Sequence, residues 1–354
     1  MKVNLVSESE FTVQGHGVHT AFVEMKNQLA KQPSVELTVN GDPSEHFDIT
    51  HIHTVGVFSL RRLNAKNGGK KIVSAHIVPD SLIGSLVGAD LWSPAAGKYL
   101  KWFYNKADAV IAVSPYTKNQ LVEMGVSEKK IRVLENSIDT TKYKTSAKQK
   151  REFREMLGFT KDDFVVVGNG QIQPRKKFDT FAKIAESLPE FQFVWVGGIP
   201  FKAAGADFSH LSKLMQNPPK NLRVTDVIPL ETAGMYMRAA DAMFMPSSQE
   251  TFGLAIIEGA ASGLPVLVRD IPDYDATFGN LILRGKTDDD FRETLLRLKT
   301  DKNFAKFARA SSRKLAAKYD SAAATEKLLA LYNELSPEFS RNYTLTFPQN
   351  EDKN

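Results

Sequence analysis

Two glutamates, Glu250 and Glu258, stand eight positions apart in the segment PSSQETFGLAIIEGAASGLP. The residues before them, 241–247, predict a buried strand that ends in proline, and residues 254–260 predict a helix. In a parallel sheet such a junction lies at the carboxyl edge, where the free amides of a helix N-terminus bind anions. We therefore expect a phosphate at Phe252 and Gly253, with two carboxylates beside the same ligand. Either glutamate alone would be an ordinary residue of a helix or its first turn.

A histidine and a basic loop are expected at the same kind of edge. His76 closes a predicted strand, 71–76, so its imidazole should project over the carboxyl end of the sheet, although a buried core histidine has the same pattern. The segment GQIQPRKK follows the first strand of the second half and contains Gln171, Arg175 and Lys176. Arg175 and Lys176 could bind phosphate, with a solvated basic turn as the alternative.

The glycines of QGHGV follow the first predicted strand. Gly15 and Gly17 allow either a flexible turn or a close approach of the backbone to a ligand. The third glycine of a dinucleotide-binding fingerprint is missing, which argues against a nicotinamide dehydrogenase.

Composition describes a folded protein of ordinary balance. The 354 residues include 42% hydrophobic and 25% charged residues, no cysteine and a formal net charge of +5. A chain of this length predicts two domains. The absence of cysteine excludes disulfides and thiolate metal sites, and the modest charge does not indicate nucleic-acid binding. We find no run of about 18 apolar residues and no signal peptide, so we expect a cytoplasmic protein.

Short apolar runs alternate with helix-length segments along the whole chain. This pattern predicts an α/β protein of two Rossmann-like, doubly wound domains. The polar passage 139–150 is a candidate linker, so we place an N-terminal domain at 1–145 and a C-terminal domain at 146–330. The tail, about 330–354, is expected to pack back on the first domain. The predicted strands are 2–6, 35–39, 49–53, 71–76, 109–113, 131–134, 164–167, 192–196, 222–224, 242–245 and 265–268.

Positive charge is concentrated in one stretch of the first half. Residues 61–106 contain eight Lys or Arg residues against two acids. Lysines mixed with aromatic residues are typical of a helix at an anionic membrane surface, where the rings enter the acyl boundary. An amphipathic helix that packs its rings into the core has the same pattern, and we keep both interpretations. The residues concerned are Trp92, Lys98, Lys101, Trp102, Phe103 and Lys106.

The segment around the two glutamates resembles the E-x7-E signature of glycosyltransferase family 4. The match includes Pro246, Phe252-Gly253, Ala260, Gly263 and Pro265 in addition to Glu250 and Glu258. The resemblance extends over nearly the whole chain. It implies a GT-B fold, in which the two domains face an interdomain cleft, and a retaining sugar transfer from a nucleotide sugar. Within the family the sequence is most similar to bacterial diglycosyl-diacylglycerol synthases.

The resemblance also implies roles for individual residues. Glu250 and the backbone of Phe252, Gly253 and Leu254 would hold the donor sugar, and Glu258 the ribose. Gly15 and Gly17 would approach the diphosphate, and His76 would face the donor sugar near the reacting carbon. Val227 and Ile228 stand where the family binds the nucleobase.

The phosphate loop departs from the family pattern. Gln171 replaces the family arginine and Lys177 the final glycine, which leaves Lys176 as the counterpart of the family lysine. Arg175 could supply the missing charge. Catalysis is therefore assigned to His76, Glu250 and Lys176.

The resemblance predicts a hexosyltransferase that carries glucose or galactose from a UDP-sugar to a glycolipid, most specifically glucosyl-diacylglycerol. It implies no obligatory metal and no cofactor beyond the donor. The enzyme would sit on the inner face of the cell membrane as a peripheral protein. Two alternatives stay open, namely a polysaccharide or small-molecule acceptor, and a non-catalytic protein that binds a nucleotide sugar or a membrane surface.

Overall fold

The computed structural model describes residues 1–12, 17–79, 89–199 and 208–337. Two sheets of six parallel strands organise these residues. The strands of the first sheet are β1 (Lys2–Val6), β2 (Glu36–Val39), β3 (Ile49–Ile52), β4 (Lys70–Ala75), β5 (Ala109–Ala112) and β6 (Ile131–Val133). Those of the second are β7 (Val165–Asn169), β8 (Gln192–Val196), β9 (Leu222–Val224), β10 (Ala242–Met245), β11 (Val266–Arg269) and β12 (Leu283–Gly285).

The strand orders are those of doubly wound sheets. The first sheet runs β2-β1-β3-β4-β5-β6 and the second β12-β11-β10-β7-β8-β9. Central strands such as β5 and β10 are buried along their whole length, because helices cover both faces of a parallel sheet. Each of the eleven predicted strands corresponds to an observed one, and β12 was missed.

Helices cover both sheets. In the described residues they are α1 (Gly17–Leu29), α2 (Val57–Leu63), α3 (Ala89–Lys106), α4 (Pro115–Glu123), α5 (Ala147–Met156), α6 (Phe178–Ser187), α7 (Phe208–Gln216), α8 (Leu230–Ala239), α9 (Leu254–Ala261), α10 (Asp288–Thr300), α11 (Lys302–Lys318) and α12 (Ser321–Leu335). None of them combines the length and the apolar character that crossing a bilayer requires.

The candidate linker is only partly irregular. Residues 140–143 form a turn of 3-10 helix, and α5 already begins at Ala147. The start of α5 has a capping box, in which the Ser146 hydroxyl and the Gln149 side chain each bond the other residue's backbone. The polar composition of this segment therefore encodes a helix start as well as a connection.

The chain passes between the two halves twice, and the two crossings lie side by side. The Ile138 amide donates to the Tyr319 carbonyl over 3.1 Å, and the Ser321 amide donates to the Ile138 carbonyl over 2.9 Å. The Thr140 hydroxyl donates to Asp320 over 2.5 Å. After the second crossing, α12 packs on the first sheet, where Tyr332 is fully buried. Residues 338–354 lie outside the described structure.

Candidate active site

A cleft of about 820 Å³ opens between the carboxyl ends of the two sheets. The first half contributes the start of α1 and the loop after β4. The second half contributes the loops after β7, β8 and β9 and the turn that leads from β10 into α9. Both sheets thus place strand ends at one cavity, as ligand sites of open α/β sheets require.

The turn between β10 and α9 ends in Gly253, and the backbone conformation at this position requires a glycine. Gly253 has φ +90°, and a Cβ there would approach the Ile256 side chain to 2.9 Å. The ring of Phe252 is buried against Phe278 and Tyr319, with ring centroids 5.8 and 5.4 Å away. The side chain of Phe252 therefore anchors the turn. Phe252 and Leu254 both line the cleft at the positive end of α9.

Glu250 is a buried carboxylate held by two cations. Its Oε1 lies 2.5 Å from Lys176 Nζ, and its Oε2 lies 3.5 Å from Arg175 Nη1. Burial by itself would raise the pKa of Glu250, but Lys176 and Arg175 outweigh it, so the pKa lies below the ordinary value. Glu250 is thus ionised at neutral pH and forms ion pairs with both Lys176 and Arg175.

The basic loop after β7 places Arg175 and Lys176 next to the turn between β10 and α9. Lys176 closes a short 3-10 turn, and the next residue, Lys177, adopts a left-handed conformation with φ +53°. Lys177 occupies the position of the final glycine in the family's phosphate loop. Glycine suits this position because it adopts a left-handed conformation without strain. Gln171 accepts a hydrogen bond from Gln173 over 3.0 Å, and both line the cleft.

Glu258 lies in α9 and faces the same cleft. Asn169, the last residue of β7, donates to its Oε2 over 3.1 Å. Burial, and after it the charge of Glu24, raise the pKa of Glu258 to about 7, while hydrogen bonds with Tyr143 and Asn169 act in the opposite direction. Glu258 therefore changes its charge near neutral pH.

Glu24 is a buried acid of α1 that sequence reasoning missed. It accepts from Lys142 Nζ over 2.7 Å and from the Asp139 amide over 3.1 Å, so it ties α1 to the first crossing of the chain. Ala21, three residues earlier, is buried on the same face of the helix. A charged residue on an otherwise apolar helix face could therefore have pointed to Glu24 as a site residue. Tyr143 and Asn169 were missed too, since their contacts with Glu258 join distant parts of the chain.

His76 forms part of the opposite wall, directly after β4. Its ring is 8% exposed, and its Nε2 lies 3.0 Å from Nδ1 of His53. Gly17 begins α1 at the cleft, where a Cβ would meet nothing within 4 Å. Gly15 lies outside the described residues. The structure thus brings His76 and Gly17 to the cavity that Glu250, Lys176 and Glu258 line.

The loops after β8 and β9 form the remaining wall, with Val227 53% exposed and Ile228 half-buried. Gly197 has φ +131°, and a Cβ there would come within 2.2 Å of the Gly170 carbonyl oxygen. A Cβ on Gly198 would lie 1.9 Å from Asp226. Both glycines are therefore needed for close approach between neighbouring loops.

Helix α3 exposes some of the predicted membrane residues and buries another. Lys98, Lys101 and Lys106 are exposed, and Trp102 is 46% exposed with Lys106 Nζ 5.0 Å from its ring centroid. Phe103 is completely buried in the core of the first sheet. The predicted membrane contact of Phe103 is wrong, because a side chain without exposed surface cannot reach lipid. The side chain of Trp92 lies outside the described part of the structure.

Comparisons with known proteins show which family the chain resembles. The family model described as Glycosyltransferase Family 4 matches residues 17–142, and the model described as Glycosyl transferases group 1 matches residues 149–315. A similar curated protein is the alpha-galactosylglucosyldiacylglycerol synthase of Streptococcus pneumoniae (strain ATCC BAA-255 / R6), with 31% identity over 77% of this chain and 74% of that protein. The processive diacylglycerol alpha-glucosyltransferase of Acholeplasma laidlawii is 28% identical over 77% of this chain and 80% of its own length.

A similar solved structure is Anabaena Alr3699/HepE in complex with UDP and glucose. It has a TM-score of 0.76 and 15% identity over 94% of this chain and 100% of that one. At this identity the likeness shows a shared fold. Together with the two parallel six-stranded sheets, it confirms the predicted two-domain GT-B architecture.

Proposed function

The chain belongs to glycosyltransferase family 4 and is an enzyme of that family, and we propose that it transfers a hexose, glucose or galactose, from a UDP-sugar to a membrane glycolipid. Glucosyl-diacylglycerol is the proposed acceptor. The names of the two curated relatives, both enzymes of diacylglycerol glycosylation, support this acceptor class. The anomeric configuration is proposed to be retained.

One observation carries the donor assignment, namely that Glu250, Glu258 and Lys176 line a single cleft. The cleft also contains the start of α9, whose first amides have no acceptor within their own helix. A diphosphate would lie against these amides and Lys176. The ribose would then reach Glu258, and the base would reach Val227 and Ile228.

The charges of the site suit the departure of a nucleoside diphosphate. Negative charge grows on the leaving phosphate as the anomeric carbon becomes positive, and fixed donors that face this charge lower the barrier. Lys176 has three N–H donors, of which one bonds Glu250. The others can bind phosphate oxygens without breaking the ion pair. Glu250 would hold hydroxyl groups of the sugar on the other side of the lysine.

The exposed side of α3 supports an acceptor that lies in a membrane. Lys98, Lys101 and Lys106 present ammonium groups beside the half-exposed ring of Trp102. Lysines attract anionic headgroups, and an indole ring is stable at the boundary between headgroups and acyl chains. A protein docked through this surface would meet a glycolipid acceptor without a transmembrane anchor.

Product analysis tests the proposal. Purified protein is incubated with UDP-glucose or UDP-galactose and micelles of glucosyl-diacylglycerol, and the lipid is analysed by mass spectrometry and proton NMR. We expect one added hexose with the anomeric configuration of the donor. Maltose and glycerol serve as soluble acceptors, and a Glu258→Ala variant serves as the donor-binding control. Faster transfer to a soluble acceptor than to the lipid would contradict the proposed acceptor, and an inverted product would contradict retention.

A further inference from the structure

Two neighbouring side chains of the first crossing reach opposite halves of the molecule. They belong to the 3-10 turn 140–143, which packs against α9. Lys142 Nζ lies 2.7 Å from Oε1 of Glu24 in α1. The Tyr143 hydroxyl forms a hydrogen bond with Glu258 in α9. All four side chains line the cleft. A single turn therefore joins the first-half wall of the cleft to the carboxylate proposed to bind the ribose.

The position of this turn is fixed by bonds to α1 and to the second crossing. The Asp139 amide, directly before the turn, donates to Glu24 Oε2 over 3.1 Å. The Thr140 hydroxyl donates to Asp320 at the second crossing. The ring of Tyr143 packs against the apolar core that includes α9. The turn thus holds the Tyr143 hydroxyl at a defined place relative to both halves.

Glu258 receives hydrogen bonds from two different elements. Asn169, at the end of β7, donates to its Oε2 over 3.1 Å, and Tyr143 donates from the turn. An ionised carboxylate has about four acceptor sites. The two protein donors therefore set the direction of the carboxylate and leave about two sites, which matches the two hydroxyls of a ribose.

Charged groups of three elements surround this contact. Glu24 of α1 repels an ionised Glu258, and Lys142 of the turn lies against Glu24 and offsets part of the repulsion. Arg238 of α8 lies close enough for its charge to act on Tyr143. Burial, with the charges of Glu258 and Glu24, holds the pKa of Tyr143 well above its ordinary value. The hydroxyl therefore keeps its proton and remains a donor.

We propose that Tyr143 is a positioning residue that orients Glu258 toward the ribose of the donor. The Lys142–Glu24 pair acts through Tyr143, because the pair holds the turn against α1. Donor affinity then depends on a contact with the first half, although most of the donor lies against the second. The inference rests on the proposed function for the ribose. The bond between Tyr143 and Glu258 is a property of the protein without donor.

Carbon-13 NMR of protein labelled at the glutamate carboxyls tests this bond without any donor. The Glu258 signal is identified by its loss in Glu258→Gln. A hydrogen bond to a carboxylate stabilises the charged form, so Tyr143→Phe should move the titration midpoint of Glu258 to higher pH by about one unit. Asn169→Ala removes the other donor and should move the midpoint in the same direction. An unmoved midpoint in Tyr143→Phe would overturn the proposal.

Calorimetry with UDP-glucose at about pH 9, where Glu258 is ionised, measures the effect on the donor. Tyr143→Phe should raise the dissociation constant about ten-fold, as the loss of one hydrogen bond to a charged group does. Tyr332→Phe is the matched control, since it removes a buried hydroxyl that bonds His51 over 2.7 Å in the first-half core. It should lower the melting temperature and leave the affinity unchanged. Thermal melting of every variant separates misfolding from lost binding. Equal affinities of Tyr143→Phe and the wild type would contradict a positioning role.

A double-mutant cycle tests the link to α1. Glu24→Gln with Lys142→Met removes the pair without leaving an unpaired charge, and should raise the dissociation constant by less than Tyr143→Phe does. Adding Tyr143→Phe should bring the constant to that of Tyr143→Phe alone, because both changes interrupt one contact. An unchanged constant in the pair variant, or losses that add in full, would overturn the link. If UDP-glucose does not bind the wild type, the proposed function fails, and the NMR midpoint still decides whether Tyr143 holds Glu258.

Discussion

Glu258 and Glu24 come from opposite halves of the chain, and their carboxylates influence each other across the cleft. Burial raises the pKa of Glu258 to about 7, and the negative charge of Glu24 adds to this effect. Glu24 itself is 7% exposed and bonded to Lys142. The charge of the Glu258 carboxyl group in the cleft therefore depends on pH near neutrality.

Donor binding should depend on pH through Glu258. The carboxylate accepts hydrogen bonds from the ribose hydroxyls more strongly than the protonated acid, one oxygen of which becomes a donor, so we expect UDP-glucose to bind more tightly at pH 8 than at pH 6. The dissociation constant should rise by up to about ten-fold per unit below the pKa. Calorimetry with UDP-glucose is suitable, because its diphosphate lacks the ionisation near pH 6 of a terminal phosphate.

Two variants sharpen this measurement. Glu258→Gln should bind weakly at every pH, and Glu24→Gln should move the midpoint to lower pH by removing one source of the raised pKa. A wild-type affinity that does not change between pH 6 and pH 8 would contradict the assignment of Glu258 to the ribose.

The same residue should lower the stability of the protein above neutral pH. The pKa of Glu258 is about 7 in the folded protein against an ordinary value of 4.5, so the folded state binds more protons between these values. Its contribution to the free energy of unfolding therefore falls as pH rises from about 4.5 through 7. Glu258→Gln should be more stable than the wild type at pH 8 by on the order of 2 kcal/mol, and most of the gain should disappear at pH 5. Urea unfolding at the two pH values measures it. An equal gain at both would exclude titration as the cause.

Breaking the Glu250–Lys176 pair should damage activity and stability together. Lys176→Ala leaves a buried carboxylate with Arg175 alone, which should cost about 3–5 kcal/mol of folding free energy. It should lower kcat by about 10²–10³, as the loss of one charge-stabilising donor does. His76→Ala and Glu250→Ala should also lose kcat while UDP still binds. Melting curves and initial rates provide both numbers.

A neutral double variant separates the two effects of the pair. Lys176→Met with Glu250→Gln removes both buried charges and should recover stability but not turnover. Near-normal kcat in this double variant would place the reacting end of the site elsewhere.

Lys177→Gly should stabilise the protein. A non-glycine residue at φ +53° costs about 1–2 kcal/mol, part of which glycine loses again through the greater freedom of the unfolded chain. We expect a net gain of roughly 0.5 kcal/mol in urea unfolding. Lys177→Ala keeps the strain and removes the same charge, so it should bring no gain. An equal gain in both variants would assign the effect to charge.

Membrane binding should depend on the exposed side of α3. Each lysine near an anionic leaflet contributes about 1 kcal/mol, so Lys98, Lys101 and Lys106 changed to Glu together should release the protein from phosphatidylglycerol vesicles while UDP binding persists. Sedimentation should show weak binding to phosphatidylcholine. It should also show binding to phosphatidylglycerol that falls as salt rises, since the Debye length shrinks to about 3 Å at 1 M.

Helix α11 offers a matched control for this charge reversal. It contains six basic and no acidic residues, and Phe307 on it is 63% exposed. Changing Lys302, Lys306 and Lys314 to Glu alters the net charge equally and should leave vesicle binding largely intact. Equal release by both triple variants would show that net charge, and not α3, holds the protein at the membrane.

The predictions that succeeded rest on local patterns. Strand periodicity locates β1 to β11, and residues 250–258 contain a turn and a helix start within a few positions of one another. The three-residue strand β12 was missed because it contains a single apolar side chain, Leu283, and cannot be distinguished from a loop. Phe103 was ambiguous for a related reason, since a helix with lysines on one face and rings on the other fits both a core and an interface.

Contacts between distant segments could not be derived from the sequence. His53 was predicted only as a strand residue, and it contacts Met25 and His76, which lie 28 and 23 positions away. Glu24 and Glu258 meet only because α1 and α9 approach each other across the cleft. Such pairings depend on how the two sheets are placed, which no local pattern contains.

The paired crossings at Ile138 and Ser321 limit how the two halves of the molecule can move relative to each other. Two parallel connections that are bonded to each other resist bending in the plane that contains both, because such bending would stretch one and compress the other. Bending out of that plane strains both alike and is the easier motion. Substrates that draw the halves together would therefore bring His76 and the Glu250–Lys176 pair closer by bending at these crossings.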